Sequence, residues 1–277
     1  MFLNAVVLIL QEILEASLLI GVLLALTDSF HRQWDQRFKL SRSWVAWAMS
    51  IGLLCAWLFA RFTPVISEWF DYAGQEVINS MFHVISLLGL VLLAFAVPAN
   101  WLQRTPLQRS RLTRICMVMI VLLSLVREGS EILIYLGGVT GDSTNLLPVL
   151  AGAAIGAGIG LSCGVFLYYA LTSLNSPWTL RSCVILLALL AGNMASQVVM
   201  LLSQVDWLPY TAIAWNTGSL IPENSIPGHL LYALIGYEAT PSILQASCYF
   251  AGIALLLLSP LFRQAWLQRA GGTANAG

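Results

Sequence analysis

Arg127-Glu128-Gly129-Ser130-Glu131 sits inside the apolar run MVMIVLLSLVREGSEILIYLGG. Three formal charges fall within five residues of a segment long enough to cross a bilayer, which needs ~20 mostly apolar residues. The surrounding chain makes that setting general. Of 277 residues, 58% are hydrophobic and 9% charged, and the mean hydropathy is +0.81. A soluble domain carries about 25% charged residues. The sequence therefore specifies an all-α integral membrane protein in contact with the lipid bilayer. Basic and acidic residues balance at 13 each, which gives no case for a nucleic-acid partner.

Seven segments are expected to span: 3–27, 44–63, 77–98, 115–138, 147–172, 181–204 and 243–262. Arg32, Arg37, Lys39, Arg42, Arg104, Arg109, Arg111, Arg114, Arg181, Arg263 and Arg269 all fall on one side of this arrangement. Arg61 is alone on the other, among Glu68, Asp71, Glu76, Asp142, Asp206, Glu223 and Glu238. The positive-inside rule then predicts an outer N-terminus and a cytoplasmic C-terminus. Residues 1–265 form one expected membrane domain, and 266–277, ending GGTANAG, an expected disordered tail. The first span is read as retained rather than cleaved, because its start lacks basic residues and Glu12 and Glu15 interrupt it. HLLYALIGY, in the long outer loop 205–242, is expected to be a short interfacial helix. The five scattered cysteines read as packing residues.

The charged stretch has a counterpart. QEILEASLLIG (11–21) aligned without gaps on REGSEILIYLG (127–137) places Glu12 on Glu128, Glu15 on Glu131 and Gly21 on Gly137. The first span runs inward and the fourth outward. Spans 1–3 and 4–6 thus form an expected inverted repeat, with the seventh helix added. Transporters of this architecture hold their site near the midplane, at the repeat interface.

Glu-x-x-Glu on a helix separates the carboxylates by ~60° around the axis and ~4.5 Å along it. Both can reach one cation, and two such helices in contact bring four carboxylates around one point. Small Gly129 and Ser130 are expected to let the opposing helix approach. A charged residue at that depth costs at least ~2.5–3.5 kcal/mol on insertion scales, so the cluster calls for a bound polyvalent cation or a water-filled path. Arg127, one turn from Glu131, offsets one charge. All-oxygen ligands select hard cations, and softer sulfur ligands for copper(I) are absent from the cluster. The chemistry alone reaches a hard polyvalent cation and no further.

Glu-x-x-Glu motifs in spans 1 and 4 of a seven-span chain, the second of them R-E-x-x-E, resemble the oxidase-dependent iron permeases, also called the iron/lead transporters. The resemblance covers most of the chain. It includes QEILEA, REGSEILIYL, the glycine-rich fifth span, AGNMASQVVMLL and WNTGSLIPENSIPGHLLYALIGYEATPSILQ. It implies iron as the transported ion, no organic cofactor and no enzymatic activity. It also implies a bacterial inner membrane and extracytoplasmic partners that oxidise or deliver iron. Glu12, Glu15, Glu128 and Glu131 become iron-handling residues, with Arg127 and Gln11 in support. Gln11 stands where the family usually has arginine, and Asn216 where it often has aspartate. Glu76, beside Asn79, is the counterpart offered for a glutamate near the outer end of the third span.

Further polar residues are expected along the route. His83 in span 3 suits a ligand, a proton relay or a hydrogen-bonded packing role. Glu223, Glu238, His229 and Asp206 lie in the outer loop. Gln197 would line the route in span 6, where Met194 and Met200 read as packing. Gly152, Gly156, Gly160 and Gly164 recur every four residues in span 5, which allows tight helix packing or a sliding surface. Within transport, manganese, lead and protons stay open. An intramembrane metalloenzyme is disfavoured, since neither motif carries the Glu-x-x-His of di-iron carboxylate sites and no H-E-x-x-H is present. A seven-span sensor does not call for a charged midplane.

Overall fold

Apolar runs in lipid have no water for their backbone groups, so they close their hydrogen bonds internally as helices. The computed structural model describes residues 2–33, 43–96, 110–139 and 146–274. Seven long helices form: α1 (Phe2–Gln33), α2 (Ser43–Ser67), α4 (Gly74–Ala96), α5 (Ser110–Val139), α6 (Leu146–Ser173), α7 (Ser176–Gln204) and α9 (Ile243–Ala274). A one-turn α3 (Trp69–Tyr72) and a ten-residue α8 (Ile226–Ile235) complete the order. All of the long helices except α5 meet the length and hydropathy of a span. α5 is as long, at 30 residues, and differs by the charges of the REGSE stretch. No strand forms among the described residues. All five cysteines are free, with Cys116 and Cys183 buried.

The basic loop residues Arg37, Lys39, Arg42, Arg104 and Arg109 lie outside the described residues, as do Asp142 and 275–277 of the tail. The helix of α9 runs on to Ala274, through the first part of the stretch expected to lack structure.

The packing follows the repeat. α1 makes its most extensive contact with α6, and α5 makes its own with α2. Exchanging spans 1–3 with spans 4–6 converts the first pair into the second. It likewise converts α4 against α5 into α7 against α1, and both pairs are in contact. The α1–α5 and α4–α7 contacts map onto themselves. This is the pairing that an inverted repeat requires, and α9 joins it from outside against α7 and α4.

Close approach explains the strongest pair. A Cβ on Gly156 would stand 2.5 Å from the Val6 carbonyl oxygen, and one on Gly164 2.5 Å from Ser17 Cβ. Ser17 Oγ also donates to the Gly160 carbonyl oxygen at 2.9 Å. The glycine stripe is therefore the seat of α1. The opposite face of α6, with Ile159, Val165 and Phe166, is exposed and apolar, as a lipid-facing surface must be.

Gly129 does not face α1, as its small size suggested. Its Cβ position meets Ala56 of α2 at 3.0 Å, and Ser130 Oγ bonds back to the Arg127 carbonyl. Small size here serves the α2–α5 contact, the symmetry mate of α1–α6.

α8 is not simply interfacial either. Ala233 is buried against Leu10, Leu14 and Leu18 of α1. Ser225 caps the helix by accepting from Gly228 N, and Gly236 ends it at φ 67°, a left-handed conformation that glycine adopts without a Cβ penalty. The short helix thus enters the bundle beside the E-x-x-E segment of α1.

Candidate metal pathway

Glu12 on α1 and Glu128 and Glu131 on α5 each place a carboxylate oxygen within 4.8 Å of the others. Helix spacing brings Glu128 and Glu131 to one side of α5, and the α1–α5 contact brings Glu12 to meet them. Glu12 and Glu128 are buried, and Glu131 is half-buried. Burial leaves carboxylates little water to stabilise them, so an ionic or hydrogen-bonding partner has to come from protein or cargo.

The fourth glutamate is held apart. Arg127 Nη2 donates to Glu15 Oε2 at 2.8 Å and also contacts Glu128 Oε1. The arginine therefore ties the two helices together, pairing with Glu15 and Glu128 rather than with Glu131. Four carboxylates around one point resolve into three that converge and one bridged through Arg127. A guanidinium presents a planar fork of donors, which suits two carboxylates at once. Glu128 Oε2 is left buried without a hydrogen-bond partner.

On one side of this cluster opens a vestibule of about 450 Å³, whose lining includes Gln11, Met200, Glu223, His229, Tyr232 and Glu238. Glu238 Oε1 accepts from Gln197 Nε2 at 3.3 Å, and its Oε2 accepts from Gln245 Nε2 at 2.9 Å. Glu223 Oε1 accepts from Ala239 N at 2.7 Å, beside Glu238 in sequence. Burial raises the Glu238 carboxyl to about 7, the Glu223 charge adds to the rise, and the Gln245 bond opposes it. The backbone pairs Thr217 N with Ala239 O and Ala214 N with Pro241 O, which fixes this loop.

On the other side lies a cavity of about 30 Å³, lined in part by Glu15, His83, Ser86, Arg127, Glu128 and Asn193. α7 passes both spaces: Met200 faces the vestibule, Asn193 and Met194 the small cavity, and buried Gln197 lies between them in sequence.

Not every expected residue lines these two spaces. Glu76 is half-buried at the start of α4 and lines neither space. Asp206 is exposed and does not line them. Asn216 Oδ1 accepts from Gly218 N, a local turn contact rather than a place in the site. Asn193, Ser86 and Gln245 escaped the sequence reading. The signal for Asn193 was an amide one helical turn before Gln197 in the apolar run of span 6.

Residues 1–262 match the sequence model of the iron permease FTR1 family. The chain belongs to that family. Its similar relatives include the ferrous iron permease EfeU of Escherichia coli O6:H1 (strain CFT073), 23% identical over 96% of each chain. The proteins of the same name in Shigella sonnei (strain Ss046) and Escherichia coli O157:H7 are each 22% identical, again over 96% of each chain. No solved structure matches the chain. Membership makes the protein a membrane iron transporter rather than an enzyme.

Proposed function

We propose that the permease admits iron from the vestibule, binds it at Glu12, Glu128 and Glu131, and releases it into the cytoplasm. The convergence of three carboxylates beside the Arg127 bridge carries this reading. With the N-terminus outside, as the basic residues predict, Gln11 and the vestibule face outward and the small cavity faces the cytoplasm. The bilayer is then an inner membrane. The relatives are named ferrous iron permeases, so Fe(II) is the form offered to the vestibule. Hard carboxylates favour Fe(III), which supports oxidation by an extracytoplasmic partner before the ion reaches the cluster. Glu223 and Glu238 act earlier, by drawing cations into the vestibule. Glu15 stays with Arg127 until the ion arrives, and then exchanges that partner for the metal.

The test is iron uptake into proteoliposomes offered Fe(II), chelated Fe(III) or Mn(II). Glu12→Gln, Glu128→Gln and Glu131→Gln should each lower iron uptake at least about tenfold, the loss of ~1.4 kcal/mol, with normal membrane insertion. Full uptake in all three would sink the reading. Greater uptake of Mn(II) than of iron in either form would reassign the cargo.

A further inference from the structure

Five buried side-chain polar atoms among the described residues have no hydrogen-bond partner, and three of them are His83 Nε2, Asn193 Oδ1 and Glu128 Oε2. They come from α4, α7 and α5, and all three residues line the 30 Å³ cavity. His83 is 4% exposed and Asn193 7%. Leaving such groups unsatisfied costs about 1–3 kcal/mol each. A packing role for His83 would supply Nε2 with a partner, and none is present. Amide and carboxylate oxygens only accept, so two of the three atoms call for a donor or a cation.

We infer that this cavity is a second metal station, in which a transition-metal ion leaving the carboxylates is held by His83 Nε2, Asn193 Oδ1 and Glu128 Oε2. The inference rests on the transport reading above. Size supports it: a space of about 30 Å³ takes one bare ion with at most a single water, so a hydrated ion cannot pass. Protein ligands must replace the lost hydration. Charge supports it too. Glu15 and Glu128 face the space together with Arg127, so two carboxylates outnumber one guanidinium. Glu128 belongs both to the converging group and to this cavity, so an ion can be passed without being fully released. Imidazole nitrogen makes the donor set softer than the all-carboxylate cluster. A softer set holds a hard ion arriving from the carboxylates less firmly, so the ion can move on with no change of oxidation state.

Pulsed electron paramagnetic resonance on the purified full-length protein loaded with Mn(II) tests this directly. Wild type should show imidazole-nitrogen coupling to the bound ion. His83→Gln should remove the coupling, and His229→Gln should retain it. Bound manganese with no nitrogen coupling, or coupling that survives in His83→Gln, overturns the inference.

Transport kinetics give a second reading. His83→Gln, and Asn193→Leu, which keeps the branching and removes the oxygen, should lower the maximal iron uptake rate roughly tenfold. KM should be unchanged, because the lost step follows binding. An unaltered maximal rate overturns the station. If manganese and iron bind normally but these tests fail, only the station is lost. If the three cluster glutamates prove dispensable, the transport reading itself fails.

Discussion

The glycine seat of α1 offers a measurable link between packing and transport. In Gly156→Ala the new Cβ would stand 2.5 Å from the Val6 carbonyl oxygen and 2.9 Å from Leu10 N, where ordinary contact begins at 3.4 Å. Both obstacles are backbone, so no side chain can swing aside. α1 and α6 must separate by several tenths of an ångström, up to about 0.9 Å, because packed interiors have few voids to absorb the change. Overpacking of this kind costs about 1–3 kcal/mol. Leu10 lies two residues before Glu12, so the displacement reaches the carboxylate cluster. The expected result is a lower unfolding temperature in detergent together with iron uptake reduced roughly tenfold, by analogy with misplaced catalytic groups. Gly158→Ala is the internal control. It lies on the same helix, and its Cβ position meets nothing within 4 Å. It should leave uptake unchanged and stability equal or slightly higher, since alanine is the better helix former in water. Equal behaviour of the two variants would refute the claim that the stripe positions the site.

Two further perturbations address charge. Glu238 titrates near 7 because it is buried beside Glu223, so its attraction for cations should fade as pH drops through about 7. Glu238→Gln should remove that limb of the uptake profile and lower uptake above it roughly sevenfold, the effect of a unit charge ~7 Å from a divalent cation in water. A carboxyl with a raised folded pKa contributes stability at low pH that is lost as pH rises past the folded value. Glu238→Gln should therefore stabilise the protein at about pH 8 relative to wild type, with the difference gone near pH 4; a constant difference across the range would count against the assignment. Arg127→Gln leaves Glu15 and Glu128 without their cation, so the metal-free protein should lose about 3–5 kcal/mol of stability, and bound Mn(II) should restore most of it. Calorimetry with and without metal reads both effects.

The helices and the paired motifs were legible in the sequence because both rest on short-range pattern. Lipid demands long apolar helices, and charges inside such runs stand out whatever their partners. The division of labour among the glutamates was not legible. Glu12 and Glu15 have the same spacing as Glu128 and Glu131, so the pattern predicts equivalence. Which carboxylate meets Arg127 depends on the relative rotation of α1 and α5, which the glycine seat on α6 and the Gly129–Ala56 contact fix from outside the motif. Asn193 and His83 come together only because α4 packs on α7. α8 reads as interfacial by its length. Its burial depends on Leu10, Leu14 and Leu18, whose inward face belongs to another helix.

The repeat is symmetric in packing and asymmetric in charge. Arg127 has Gln11 as its counterpart, and Gln11 lines the vestibule whereas Arg127 lines the small cavity. A cation taking the proposed path from the vestibule would meet a neutral amide before the carboxylates and a guanidinium after them. Gln11→Arg would make the two sides alike. By the repeat's symmetry, an arginine there would bridge Glu131 and Glu12 as Arg127 bridges Glu15 and Glu128, and so withdraw two ligands from the ion. A unit charge ~10 Å from a divalent ion, at an effective dielectric of ~40 beside the hydrated vestibule, is worth ~1.7 kcal/mol. Apparent iron affinity should fall about tenfold or somewhat more. If the two positions are equivalent, Arg127→Gln should tighten binding by about the same factor. The double variant Gln11→Arg/Arg127→Gln would then return near wild-type affinity with the charge moved to the vestibule side. Binding measured by isothermal titration with Mn(II) distinguishes the outcomes: unequal single shifts would mean that the repeat governs packing but not the electrostatics of the path.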